Sequence, residues 1–167
     1  MLSRRALYAT GNALLDAQAD FRRARRSHAI ARLCRWISRR PHPSRPVVLS
    51  QSIPLPGGEP RVSVIPLDAI VGTVEATGHF DARLRPASEA VRHRWERIAL
   101  AHRRGIALPP VVLWARPEGY YIVDGRHRVS VARALGLADI DGWVSGPRRT
   151  TGQPPAECAA GGCQAFA

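Results

Sequence analysis

Tyr120-Tyr121-Ile122-Val123-Asp124-Gly125-Arg126-His127-Arg128 is the stretch on which the fold turns. An apolar, strand-like run stops at an aspartate–glycine pair and then releases three cation-capable side chains in a row. Arg128 to Leu135 follows with helical patterning, and Gly136 ends it. Strand Tyr120–Val123 and helix Arg128–Leu135 then meet in a tight junction, with Gly125 supplying the backbone freedom a sharp turn needs. The start of a helix points unpaired main-chain N–H groups outward and carries the positive end of its dipole. With Arg126, His127 and Arg128 around it, the junction reads as an anion site suited to phosphate. Asp124, just before it, is placed to cap the helix, orient an arginine or hold a metal that bridges a nucleotide's phosphates, and capping is the simplest of these. His127 is read first as a hydrogen-bonding group that binds, and only second as an acid or base.

Working outward, Glu118-Gly119 turns the chain back into a strand at Val111–Ala115, which starts after Pro109-Pro110. Ser88 to Arg104 is a helix with Val91, Trp95 and Ile98 on one face, stopped by Gly105. Val62, Val64 and Ile65-Pro66-Leu67 give a short strand, and Ile140–Val144 a last one. Residues 61–145 are therefore expected to form an α+β domain, a small mixed β-sheet with flanking helices. Residues 41–60 hold six prolines with Gly57 and Gly58 and read as an extended linker. Residues 146–167, rich in Gly, Pro, Ala and Thr, are expected to be disordered.

Residues 1–40 form the remaining unit, a basic amphipathic helix over positions 3–38. Leu7, Leu14, Ala17, Phe21 and Ala24 lie on one side, a later stripe holds Ile30, Leu33 and Ile37, and Gly11 weakens the first turns. This unit has 10 arginines against two aspartates, so it holds +8 of the net +12. Such a helix suits DNA, an acidic lipid surface or a partner protein, but the preferred reading is a solvated face whose apolar side docks on its own domain. All 25 basic residues are arginine, so codon bias accounts for much of the charge and placement must decide which guanidinium groups matter. Cys34, Cys158 and Cys163 have neither a disulfide framework's count nor a zinc site's spacing, and no metal site is assigned. No apolar run approaches the roughly 20 residues of a membrane span. A cytoplasmic protein without integral membrane association is expected, with its oligomeric state open.

Residues 121–136, Tyr-Ile-Val-Asp-Gly-Arg-His-Arg-Val-Ser-Val-Ala-Arg-Ala-Leu-Gly, resemble the signature of the ParB/sulfiredoxin superfamily, in which a strand, a Gly-x-x-Arg turn and an Ala-rich helix form a phosphate-contacting corner. Leu108 to Trp114 resembles the strand that precedes it there. The resemblance covers about Val62 to Val144 and implies that superfamily's fold. In ParB proteins the matching Gly-Glu-Arg-Arg box contacts CTP phosphates, which implies Gly125, Arg126, His127 and Arg128 as nucleotide-binding residues, with Arg126 replacing the glutamate. Neither an acidic-Asn-x-x-Arg box nor a helix-turn-helix follows, so centromere-style loading onto DNA is not expected. Sulfiredoxins carry a cysteine at this turn and this chain does not, which removes that activity. The motif is also similar to the Asp-Gly-His-His-Arg of ADP-dependent free-serine kinases, which use a glutamate after the first strand as catalytic base. Glu75 is the candidate for that role, with its register off by at least one residue.

Three functions follow. The first is a ParB-like nucleotide- and phosphate-binding protein taking CTP, ATP or ADP, with Mg2+, whose basic helix contacts DNA or a partner. The second is a small-molecule kinase with Glu75 or Asp124 as base. The third is a nucleic-acid-binding protein working through the N-terminal helix. Whether it is an enzyme stays open. Arg83 and Arg85 are candidate contacts to the same anion, with salt bridges to Asp81 or Glu89 as the alternative. No carboxylate cluster that would hold two metals for nuclease chemistry is evident.

Overall fold

Side chains alternate across a strand, so Val111, Leu113 and Ala115 share one face of their strand while Val112, Trp114 and Arg116 share the other. The first set is fully buried, and it marks the side of the sheet on which the core is built. The computed structural model describes residues 10–38, 46–49 and 60–146. The fold is α+β. Its strands are β1 (Val47–Val48), β2 (Arg61–Pro66), β3 (Ile70–Thr73), β4 (Val111–Arg116), β5 (Gly119–Asp124) and β6 (Asp139–Ser145). They form one mixed sheet in the order β1-β3-β5-β4-β6-β2. The β4–β5 and β2–β6 pairs are antiparallel, whereas β1–β3, β3–β5 and β4–β6 are parallel.

Three helices, α1 (Ala13–Ser38), α2 (Arg92–Arg103) and α3 (Arg126–Ala134), supply the rest of the core. Trp95 of α2 is completely buried and joins all three. Its ring meets Phe21 of α1 edge-on at 5.5 Å, and its Nε1–H donates to Ser130 Oγ of α3 at 2.9 Å, which satisfies an indole that burial would otherwise penalise. Arg103, at the end of α2, donates to Asp20 Oδ2 at 2.6 Å and lies 3.5 Å from Asp16 Oδ2, so α1's two buried carboxylates are held by the neighbouring helix. On the opposite face of the sheet, Leu49, Trp114 and Tyr121 form a smaller cluster.

The strands and helices expected over 61–145 all occur. Three features differ from expectation. The N-terminal helix starts at Ala13 rather than position 3, because Gly11 takes φ 85° and Asn12 Oδ1 accepts the Leu14 and Leu15 N–H groups as a cap; positions 3–9 lie outside the described residues. Its first half belongs to the main core through Ala17, Phe21 and Ala24. Within the proline-rich segment, Val47–Val48 pairs with Gly72–Thr73 as an edge strand. β3 itself is an additional strand. The tail expected to be disordered lies outside the described residues beyond Gly146. Among the described residues no helix is long and apolar enough to cross a membrane.

Asp81 ties α1 to the loop before α2. It is fully buried and accepts the Arg83 and Arg85 N–H groups at 3.0 and 2.9 Å, Arg85 Nε–H at 2.7 Å, and pairs with His28 Nδ1 at 3.1 Å. Burial alone raises its pKa, but the hydrogen bonds from Arg85 and His28 outweigh burial and hold the carboxyl below the usual carboxylate range. Asp81→Asn leaves donors facing an NH2 group in the interior, and it is expected to lower stability by about 3 kcal/mol at neutral pH, measured by urea denaturation.

Candidate functional site

β3 and β5 run parallel, so their carboxyl ends lie side by side, the edge at which open α/β sheets hold their ligands. Past β3, Val74 N–H donates to the Ile122 carbonyl at 2.9 Å, and buried Thr73 Oγ1 donates to the Glu75 carbonyl at 2.8 Å. This turn brings Glu75 to α3: Arg126 Nη2 lies 3.2 Å from Glu75 Oε2, and Arg126 Nη1 donates to the Glu75 carbonyl at 3.4 Å.

β5 ends at Asp124 and the chain turns at Gly125 with φ 100°, ψ 18°. A Cβ there would sit 2.6 Å from Val111 Cγ1, so both conformation and space require glycine. The Val129 N–H donates to the Gly125 carbonyl at 3.0 Å, and no side chain caps the helix. The amides of Arg126, His127 and Arg128 precede that first intrahelical bond, which leaves a donor set at the positive end of the α3 dipole. Asp124 does not cap α3. Its carboxylate accepts Arg128 Nη2–H at 2.7 Å.

The basic side chains of the turn point three ways. Arg128, 13% exposed, donates through Nη1 to the Pro109 and Pro110 carbonyls at 2.5 and 2.8 Å and so clamps the entrance to β4 against α3. Arg126 reaches Glu75 on the other side. His127 packs edge-on against Phe80, ring centroids 5.1 Å apart. Burial pushes its pKa down to about 4, reinforced by Arg94, Arg126 and His79 and opposed by Asp124. The ring is neutral near pH 7. The turn thus brings Glu75, Asp124, Gly125 and Arg126 to one edge, with the Arg128 and His127 side chains engaged in holding its walls.

Arg83 and Arg85 lie elsewhere. With Arg23, Arg133, Ser27 and Ser130 they line a cleft of about 360 Å³ that includes the far end of α3. Arg85 is paired with Asp81 and donates to the Ser27 carbonyl at 3.1 Å, joining the loop to α1. The Arg83 carbonyl accepts Arg133 Nη1–H at 3.3 Å. Sequence reasoning did not single out His79, Phe80 or Arg94 around His127, or Thr73 beneath Glu75. An arginine among 25 carries no distinguishing signal, and Thr73 acts through a turn visible only once β3 is placed. Among the described residues no group of three or more His, Cys, Asp or Glu side chains comes together to hold a metal.

Comparison with protein-family models, curated proteins and solved structures yields no match to this chain.

The neutral state of His127 has a consequence for stability. Its folded pKa of about 4 lies below the ordinary value of 6.5, so the unfolded chain binds the proton first as pH falls. The stability that His127 contributes is therefore full above about pH 6.5, is lost progressively towards pH 4 and changes no further below that. His127→Asn is expected to remove on the order of 1 kcal/mol of this decline, a figure reduced for water's screening of a half-buried ring, as read from denaturant midpoints at pH 7 and 4.5.

Proposed function

We propose that this chain is a ParB-like nucleotide- and phosphate-binding protein whose ligand's phosphates meet the amino end of α3. The observation that carries the reading is the uncapped start of α3 behind a glycine that the Val111 contact makes obligatory. Main-chain amides fixed in this way need no rearrangement to receive an oxyanion, and the helix dipole favours its charge. Arg126, partly exposed, adds a planar fork beside them. Its partner is Glu75, so an incoming phosphate competes with that carboxylate and releases it.

Glu75 and Asp124 each have 64% exposed side chains and stand on either side of the turn. Asp124 suits a magnesium ion that arrives with a nucleotide, since this ion needs only one protein carboxylate and completes its shell from phosphates and water. Bound there, it would supply neutralisation of the phosphate charge.

The Arg126–Glu75 contact also favours a second reading, phosphoryl transfer to a small hydroxyl compound. A hydroxyl oxygen would bond to the terminal phosphorus as the bridging P–O bond breaks, with the hydroxyl proton passing to Glu75. Thermal unfolding of the protein with CTP, ATP, ADP or GTP, with and without magnesium, tests both readings. One nucleotide is expected to raise the melting temperature, about 2.7 kcal/mol of added stability at 100 times its Kd, and Arg126→Ala is expected to weaken that binding about tenfold. Glu75→Gln should keep the shift and lose any phosphorylated product. Melting temperatures unmoved by every nucleotide would count against the site.

A further inference from the structure

The two apolar stripes of α1 face opposite ways. Ala17, Phe21 and Ala24 are buried in the core. Ile30 is nine residues past Phe21, about two and a half turns, which carries it to the far side of the helix. Ile30, Leu33 and Ile37 recur there at helical spacing and are 55%, 54% and 66% exposed, with Trp36 on their flank at 78%. On the inward side His28 reaches Asp81 and Arg25 donates to the Ala87 carbonyl, and Ala31 and Arg35 continue that line partly covered. None of residues 29–38 is buried, so over about 15 Å of helix the described domain leaves the outward, apolar side uncovered.

Charge narrows what can cover it. From Phe21 to Ser38 there are six arginines and no carboxylate, and Arg26 and Arg22 are exposed on the outward side, one and two turns before Ile30 respectively. A second copy of the same helix would bring six arginines against six. A duplex nucleic acid would accept the arginines but offers no apolar surface for Ile30, Leu33, Trp36 and Ile37. An anionic phospholipid surface meets both demands, with headgroup phosphates for the guanidinium groups and an acyl region for the apolar side chains. Tryptophan, apolar with one polar N–H, suits the boundary between them.

We propose that the outward face of α1, centred on Ile30, Leu33 and Ile37, with Trp36 at its edge and Arg22 and Arg26 preceding it on the same side, binds anionic membrane surfaces peripherally. This stands independently of the nucleotide site. The test is co-flotation of the full chain with vesicles of phosphatidylcholine alone or mixed with phosphatidylglycerol. Binding is expected only to the mixed vesicles and should weaken as salt rises. Ile30→Ser/Leu33→Ser/Ile37→Ser is expected to lower partitioning at least tenfold with an unchanged melting temperature, because these side chains make no contact with the core. Arg22→Gln/Arg26→Gln, on the same side as the stripe, should lower it as well. The proposal is overturned if the wild-type chain ignores the mixed vesicles, if it binds both compositions equally, or if the triple variant binds as the wild type does. It is equally overturned if sedimentation shows a dimer that the triple substitution dissolves, which would make a second copy the occupant.

Discussion

The close approach of Gly125 to Val111 is the constraint from which the rest of the architecture follows. β5 must end and α3 begin within one residue, and that residue must adopt a left-handed conformation directly against a core side chain of β4. Only glycine meets both conditions. The contact sets where α3 starts over the sheet, and Arg128 then fixes it by bonding the Pro109 and Pro110 carbonyls at the entrance to β4. With α3 fixed, Ser130 is in place for Trp95, and Trp95 in turn carries α2 and Phe21 of α1. A backbone requirement at one turn therefore propagates through a single buried indole to the N-terminal helix.

Arginine does much of the joining between elements. Arg25 donates to the Ala87 carbonyl, Arg85 to that of Ser27, Arg128 to those of Pro109 and Pro110, and Arg133 to those of Leu67, Ile70 and Arg83. A planar guanidinium can span two carbonyls at fixed angles, which a lysine ammonium does less well. Burial lowers the pKa of Arg133 even so, since carbonyl dipoles replace only part of the lost hydration. A chain whose basic residues are all arginine thus uses several as structural ties. Net charge alone overstates how many are available to a polyanion.

The elements most legible in the sequence were those with strong local signals: β4 and β5 around Glu118-Gly119, α2 between Ser88 and Gly105, and α3 between Gly125 and Gly136. β3 is four residues long, contains Gly72 and follows directly on the 3-10 turn at Leu67–Ala69, so its pattern is too short to show a period. β1 is hidden among prolines, and its identity depends on pairing with Gly72, a contact remote in sequence. At the site, the need for glycine at position 125 was readable. The direction of each basic side chain was not, because the partners come from distant segments: Glu75 for Arg126, Phe80 for His127 and Pro109-Pro110 for Arg128. Reading three adjacent cations as one convergent cluster ignores that successive residues on a helix point about 100° apart.

That divergence changes the electrostatics of the turn. Arg126 and Arg128 are each paired with a carboxylate, Glu75 at 3.2 Å and Asp124 at 2.7 Å, so the side chains at this edge are close to neutral in sum. What remains for an anion is the main-chain amide set and the dipole behind it, a weaker attraction than three free cations but one that requires no reorganisation. The two pairs also differ in kind. Arg128 is held by two carbonyls as well as by Asp124, and giving it up would open the β4 entrance. Arg126 has only the exposed Glu75 residue, and surface pairs of this sort contribute little to stability. A ligand that takes Arg126 therefore disturbs the fold least, and it leaves the exposed Glu75 carboxylate without its arginine. The asymmetry makes Glu75 the group whose environment depends most on occupancy of the proposed site.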